Sequence, residues 1–188
     1  MAPTSSKATN KTVETESTGP AHKTLSFGLG KEEYGLDILV VREIIGIIDI
    51  TPLPRTPDYV KGVINLRGKI IPVIELRQRF GMPTVEYTDE TCIIVVDVPV
   101  DGEGEGESRL MGVVVDTVRE VLDIPAAAIE PPPEFGCNVP IDYITGIGRI
   151  KGTVVVLLDT SKVMNPPAAN AVLAATKGLA PGSGSAAA

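Results

Sequence analysis

Tyr59-Val60-Lys61-Gly62-Val63-Ile64-Asn65-Leu66-Arg67-Gly68-Lys69-Ile70-Ile71-Pro72-Val73-Ile74-Glu75 decides the fold, because it returns as Tyr143-Ile144-Thr145-Gly146-Ile147-Gly148-Arg149-Ile150-Lys151-Gly152-Thr153-Val154-Val155-Val156-Leu157-Leu158-Asp159. The tyrosine, two glycines, the apolar positions and the closing carboxylate keep one spacing, from 59 to 143 and from 75 to 159. Upstream, Gly35 and Val41-Arg42-Glu43-Ile44 return as Gly112 and Val118-Arg119-Glu120-Val121. Self-similarity at a fixed period marks a duplicated supersecondary unit. Positions the copies share belong to the fold, and positions where they differ are where function is to be sought.

Working outward, the 188 residues suit one compact body or two small fused ones. Aromatics are only 4% and Trp is absent, so Val and Ile carry the apolar load and strands are favoured over helices. The net charge of −7 excludes a basic footprint of the kind a nucleic-acid backbone requires. Two distant cysteines and the absence of an apolar signal core fit a soluble, cytoplasmic protein. No apolar run approaches the ~20 residues of a membrane helix, so no direct membrane insertion is expected.

Residues 1–22 are polar and aperiodic and read as a disordered tail, and residues 166–188 as a second, Ala/Gly/Pro-rich one. The folded body is expected over 23–165. Thr24–Leu29 and Tyr34–Ile38 read as strands around a Gly30–Glu33 turn. Leu39–Ile50 reads as a long apolar strand stopped by Pro52 and Pro54. Gly62–Leu66 and Lys69–Glu75 form a hairpin about Arg67-Gly68, and Leu76–Phe80 forms one helical turn capped by Gly81. In the second copy, strands are expected at Thr91–Val98 and Leu110–Val118, and a proline-laden connection at Asp123–Pro133. A matching hairpin is expected over Tyr143–Leu158, and a helical turn over Asp159–Met164. Short strands between Gly/Pro turns point to small closed barrels, two in tandem.

No catalytic constellation stands out. Asp101-Gly102-Glu103-Gly104-Glu105-Gly106 resembles a calcium loop, but its twelfth position is Gly112 where a bidentate Glu is needed, so it reads as an acidic hairpin loop. His22 is the only histidine and has no second imidazole to share a metal. Cys92 sits at the start of an apolar strand, and Cys137 lacks a cationic neighbour to lower its pKa. Pro131-Pro132-Pro133 reads as a rigid connector. No nucleophile elbow, phosphate loop or zinc motif is present. The chain therefore reads as a non-enzyme that takes no cofactor and no metal. What remains is Arg67, which a hairpin tip exposes, and Glu43, a charge inside an apolar strand that must face outward.

The run from Gly62 to Leu76, with Val41-Arg42-Glu43-Ile44, Thr51-Pro52-Leu53-Pro54 and Tyr143-Ile144-Thr145-Gly146, resembles the signature of the CheW family of bacterial chemotaxis coupling proteins. The resemblance spans about Lys23 to Met164. It implies a mainly β fold of two SH3-like five-stranded barrels, the first carrying the 59–76 hairpin and the second the 143–159 hairpin. It implies an adaptor that couples the histidine kinase CheA to the cytoplasmic tips of methyl-accepting chemotaxis receptors. Val41 and Glu43 fall at receptor-coupling positions, Arg67 at the signature arginine of receptor and array contacts, and Gly62 at a glycine needed for partner association. Ile38, Ile44 and Val113 are further candidates for a groove that takes a receptor helix. A scaffold of the same type in a non-flagellar chemosensory or pilus-motility pathway is the alternative. The same module occurs inside CheA and CheV, but this chain has no length for kinase or receiver domains, so a stand-alone coupler is expected.

Overall fold

The structure, a computed structural model, describes residues 21–99, 108–132, 139–150 and 152–164. The acidic loop at 101–107, Cys137, Lys151 and most of both tails lie outside the described residues. Among the described residues, eleven strands form two sheets: β1 (Ala21–Leu29), β2 (Glu32–Asp37), β3 (Val41–Gly46), β4 (Val60–Leu66), β5 (Lys69–Glu75), β6 (Cys92–Pro99), β7 (Ser108–Val115), β8 (Thr117–Pro125), β9 (Ile129–Glu130), β10 (Ile144–Ile150) and β11 (Thr153–Leu158). Two single-turn helices, α1 (Leu76–Arg79) and α2 (Thr160–Met164), follow the two signature hairpins. β1 takes in Ala21 and His22, assigned to the tail from sequence, because they pair with Pro125 and Ile124 on β8.

One sheet has the order β3-β6-β7-β5-β4 and the other β8-β1-β2-β11-β10-β9. Each closes on itself through the chain that continues from its first strand. After β3, Thr51 exchanges two 2.9 Å hydrogen bonds with Val63 on β4. After β8, one 3₁₀ turn leads into β9, which pairs with β10. The two sheets are therefore the two SH3-like barrels of a mainly β fold. Barrel one is built from a continuous stretch, Val41 to Val115, whereas barrel two joins the N-terminal hairpin β1–β2 to everything after Asp116. Each repeat thus lends its first hairpin to the other repeat's barrel. The junctions are parallel pairings, Gly35 opposite Leu157 and Gly112 opposite Val73. A Cβ on Gly35 would lie 2.3 Å from the Thr24 side chain, which is why that repeated position carries none.

The sequence reading merged two strands at this point. Leu110–Val118 was expected as one strand, but the chain turns at Asp116 and β8 runs through part of the supposed connection to Pro125. Likewise, Leu39–Ile50 is not one strand. The Asp37 carboxylate accepts from the Leu39 N–H at 2.9 Å and caps a 3₁₀ turn over Ile38–Val40, after which β3 ends at Gly46. The recurrence of Val41-Arg42-Glu43-Ile44 as Val118-Arg119-Glu120-Val121 was the available signal, since the first copy opens β3 and the second opens β8.

Three cores result. Ile64, Ile71, Val73, Ile93, Val95 and Val114 fill barrel one. Ile124, Val155 and Leu157 fill barrel two. The largest core lies in the seam between them and takes residues of both sheets, including Phe27, Tyr34, Leu36, Ile74, Leu76, Phe80, Ile94, Val96 and Val113. The run Ile93–Val96 of β6 is apolar without a break because alternate side chains serve different cores, Ile93 and Val95 the barrel and Ile94 and Val96 the seam. In barrel two, Thr24 and Asp37 stand where barrel one has Ile93 and Val114, and a cavity of about 370 Å³ opens beside them.

At the chain's crossing between barrels, Asp116 accepts from the Gly30 N–H of the β1–β2 turn at 2.7 Å and from Arg77 of α1 at 2.6 and 2.5 Å. Burial alone would raise this carboxyl, but the Arg77 and Gly30 hydrogen bonds and the Arg77 charge outweigh it and hold the pKa below its ordinary value. A pKa lower in the folded chain gives stability that is full at neutral pH and is lost as pH falls through the folded value. In Asp116→Asn, the melting temperature at pH 7 should drop, and its decline between pH 5 and 3 should be shallower than in the wild type, as thermal melts across that range would show.

Gly62 sits at φ +138°, and a Cβ there would lie 2.0 Å from the Thr51 carbonyl oxygen, inside the pairing that closes barrel one. That atom is backbone and cannot swing aside. Gly62→Ala should cost about 2–4 kcal/mol of stability, measured by denaturant unfolding, with any loss of partner binding following from the fold.

Candidate partner-binding site

The β4–β5 tip is a tight turn with positive φ at both central residues, 51° at Arg67 and 84° at Gly68, the backbone of a type I′ hairpin. The Asn65 side chain accepts from the Gly68 N–H at 2.9 Å. Glycine adopts this geometry freely, but arginine does so at a cost of about 1–2 kcal/mol. A residue held in that region by its surroundings points to a purpose for its side chain.

Arg67 reaches from this tip to Glu43 on β3, at the other end of the sheet's strand order. Its two terminal nitrogens meet the two carboxylate oxygens at 3.3 and 2.8 Å, a bidentate fork. The two residues singled out separately from sequence are therefore one unit. The Arg67 side chain is 79% exposed and that of Glu43 26%, so the pair adds at most about 1 kcal/mol to stability. At the opposite end of the same hairpin, Lys61 reaches the buried Glu75 carboxylate at 3.1 Å. Glu75 leaves α1 without a side-chain cap, whereas the shorter Asp159 caps α2 through the Lys162 N–H at 3.1 Å.

The other sequence candidates separate clearly. Val41 is half-buried, and with Ile38 it packs against the seam core from the edge. Ile44 is 45% exposed beside Glu43. Gly62 is inside barrel one and has no side chain to present. Val113 must be corrected: on the interior strand β7 its side chain is fully buried in the seam core, so it cannot line a surface groove.

Sequence reasoning missed Leu39, at 79% the most exposed large apolar residue among the described residues. It lies on the 3₁₀ turn where the chain first crosses between barrels, at the repeat position that Asp116 holds on the second crossing. The apolar run Ile38-Leu39-Val40-Val41 was the signal, hidden by reading it as a strand. It also missed that the duplication preserves an exposed apolar pair, Ile44 and Ile70 on barrel one and Val121 and Val154 on barrel two.

Other reactive groups are quiet. Burial raises the Cys92 thiol above its ordinary pKa, which disfavours the nucleophilic thiolate. Burial, with the Glu75 charge, pushes the Tyr87 phenol up to about 12 and keeps it protonated. Among the described residues, no group of three or more His, Cys, Asp or Glu is placed to hold a metal, and no helix is long and apolar enough to cross a membrane.

Two closed β-barrels around a shared core, carrying an exposed Arg–Glu fork and exposed apolar side chains, fit a protein-binding adaptor module. The CheW-like domain model matches residues 23–167, and the chain belongs to that family. It is 41% identical over 141 residues to the chemotaxis protein CheW of Klebsiella aerogenes, covering 75% of this chain and 80% of that one. With the CheW of Rhizobium meliloti it shares 33% over 146 residues, covering 78% and 89%. The crystal structure of the scaffolding protein TtCheW from Thermoanaerobacter tengcongensis superposes with a TM-score of 0.68 at 34% identity, covering 78% of this chain and 94% of that one. The proteins it is similar to are thus chemotaxis and scaffolding proteins of the CheW type.

Proposed function

We propose that this chain joins a CheA-type histidine kinase to the cytoplasmic tips of methyl-accepting chemotaxis receptors, by binding alone and without chemistry of its own. The observation that carries this reading is the Arg67–Glu43 fork, held in the open by a turn whose backbone an arginine occupies at a cost. Such an anchor can exchange one carboxylate partner for another and so fix the register of a docked surface. Leu39 and Ile44 supply apolar area near it, with Ile38 and Val41 at the seam edge, a setting suited to the apolar stripe of a receptor helix. The repeated exposed pairs, Ile44/Ile70 and Val121/Val154, support one docking face on each barrel, and two faces are what a coupler needs. The protein would work in the cytoplasm and be drawn to the membrane by its receptors, where linkage of many weak contacts multiplies avidity.

Arg67→Ala or Glu43→Ala should weaken receptor or kinase binding by about 1–4 kcal/mol, read by titration calorimetry, with melting temperature nearly unchanged. Arg67→Gly separates the two roles further. It relaxes the turn, so stability should hold or rise while binding falls. Leu39→Ser should weaken receptor binding without destabilising the fold. Unchanged affinity for both partners in the folded Arg67 and Glu43 variants would remove the assignment. Recovery of the native kinase and receptor from cytoplasm with the wild-type chain identifies the pathway it serves.

A further inference from the structure

We infer that Arg79 is a positioning residue that fixes how the two barrels are set against each other, and thereby couples their docking faces. The inference rests on the adaptor reading above. Arg79 ends α1, and its guanidinium carbon lies 4.8 Å from the centroid of the Tyr59 ring and 4.9 Å from that of Tyr143. These are the same residue of the two repeats, 59 and 143. Each tyrosine is tied to its own barrel, because the Tyr59 carbonyl accepts from the Glu75 N–H and the Tyr143 carbonyl from the Asp159 N–H, both at 2.8 Å. A cation held equidistant between them joins barrel one to barrel two. The Arg79 Nε also donates to the Val163 carbonyl of α2 at 3.3 Å.

Val163 is Arg79's own repeat counterpart, and it is fully buried. The space between these two repeat-related rings is shared by both copies and holds one guanidinium. One copy supplies the arginine, and the other supplies an apolar residue and its carbonyl. The surrounding seam is apolar, and apolar burial is not directional. The planar guanidinium between two rings is directional, so it can select one angle among several that bury similar area. Among the described residues, the contacts of Arg79 are with Tyr59, Tyr143 and Val163 and not with Arg67, Glu43 or Leu39, so its influence on binding would be exerted through geometry.

The test uses full-length Arg79→Lys, which keeps the charge and loses the plane, and Arg79→Met, which keeps much of the volume. Spin labels at Lys69→Cys and Thr153→Cys, with Cys92 and Cys137 changed to serine, report the distance between the barrels. In both folded variants that distance distribution should shift or broaden. Affinities for the isolated receptor tip and for the isolated kinase regulatory domain should each stay within about threefold, while receptor-dependent stimulation of the kinase falls about fivefold or more. An unchanged distribution with unchanged stimulation overturns the inference, as does a parallel fall in both separate affinities, which would make Arg79 a contact residue. If Arg79→Met does not fold, Arg79→Lys decides alone by the same measures. Should the wild type bind neither partner, the adaptor reading fails, while the distance measurement still decides whether Arg79 sets the angle.

Discussion

The parallel junctions at Gly35–Leu157 and Gly112–Val73 are the constraint on which the architecture depends. A duplicated unit would most simply fold into two barrels in a row. Here the first hairpin of each copy pairs with the second hairpin of the other, so the chain must cross between barrels twice. Those crossings lie side by side with the seam. One presents Leu39 outward, and the other is latched by Asp116 to Gly30 and Arg77. The seam core follows from the same exchange, because β6, β7, β1 and β2 bury one face within a barrel and the other between barrels.

Scarce aromatic residues are concentrated where that arrangement needs bulk and direction. Phe27, Tyr34, Phe80 and Tyr143 form a chain of ring contacts between 5.7 and 6.4 Å through the seam, and Tyr59 completes the cage around Arg79. The barrels themselves are filled by Val, Ile and Leu. The low aromatic content noted in the sequence therefore describes the barrels, and the seam is the exception.

Local features were legible from sequence and long-range ones were not. The hairpin at Arg67-Gly68, the helical turns after Glu75 and Asp159, and the stop at Gly81 follow from nearest-neighbour backbone chemistry, and the structure has all of them. The strand β8 was missed because the chain turns at a single residue, Asp116, without the glycine or proline that usually announces a turn. Val113, which the resemblance offered as a groove residue, lies on an interior strand with both faces buried, so its side chain belongs to the seam core. Arg67 and Glu43 were each found as exposed charges, but their pairing depends on barrel closure and has no sequence signature. Arg79 was overlooked although the repeat held the clue: aligning the copies sets it against Val163, a full exchange of charge for hydrocarbon.

The discontinuity of barrel two also bears on how the chain is made. Barrel one is complete once Val115 has emerged, whereas Glu33 must wait for Val155, 122 positions later (155 − 33), before its own barrel can close. At synthesis rates of about 5–20 residues per second, that interval is on the order of 6–24 s. Through it, the β1–β2 hairpin carries Leu25, Phe27, Leu29, Tyr34 and Leu36 without its final partner strand. The finished barrel one offers the first surface on which those side chains can be sheltered. The order of synthesis thus makes the first barrel a template for the second.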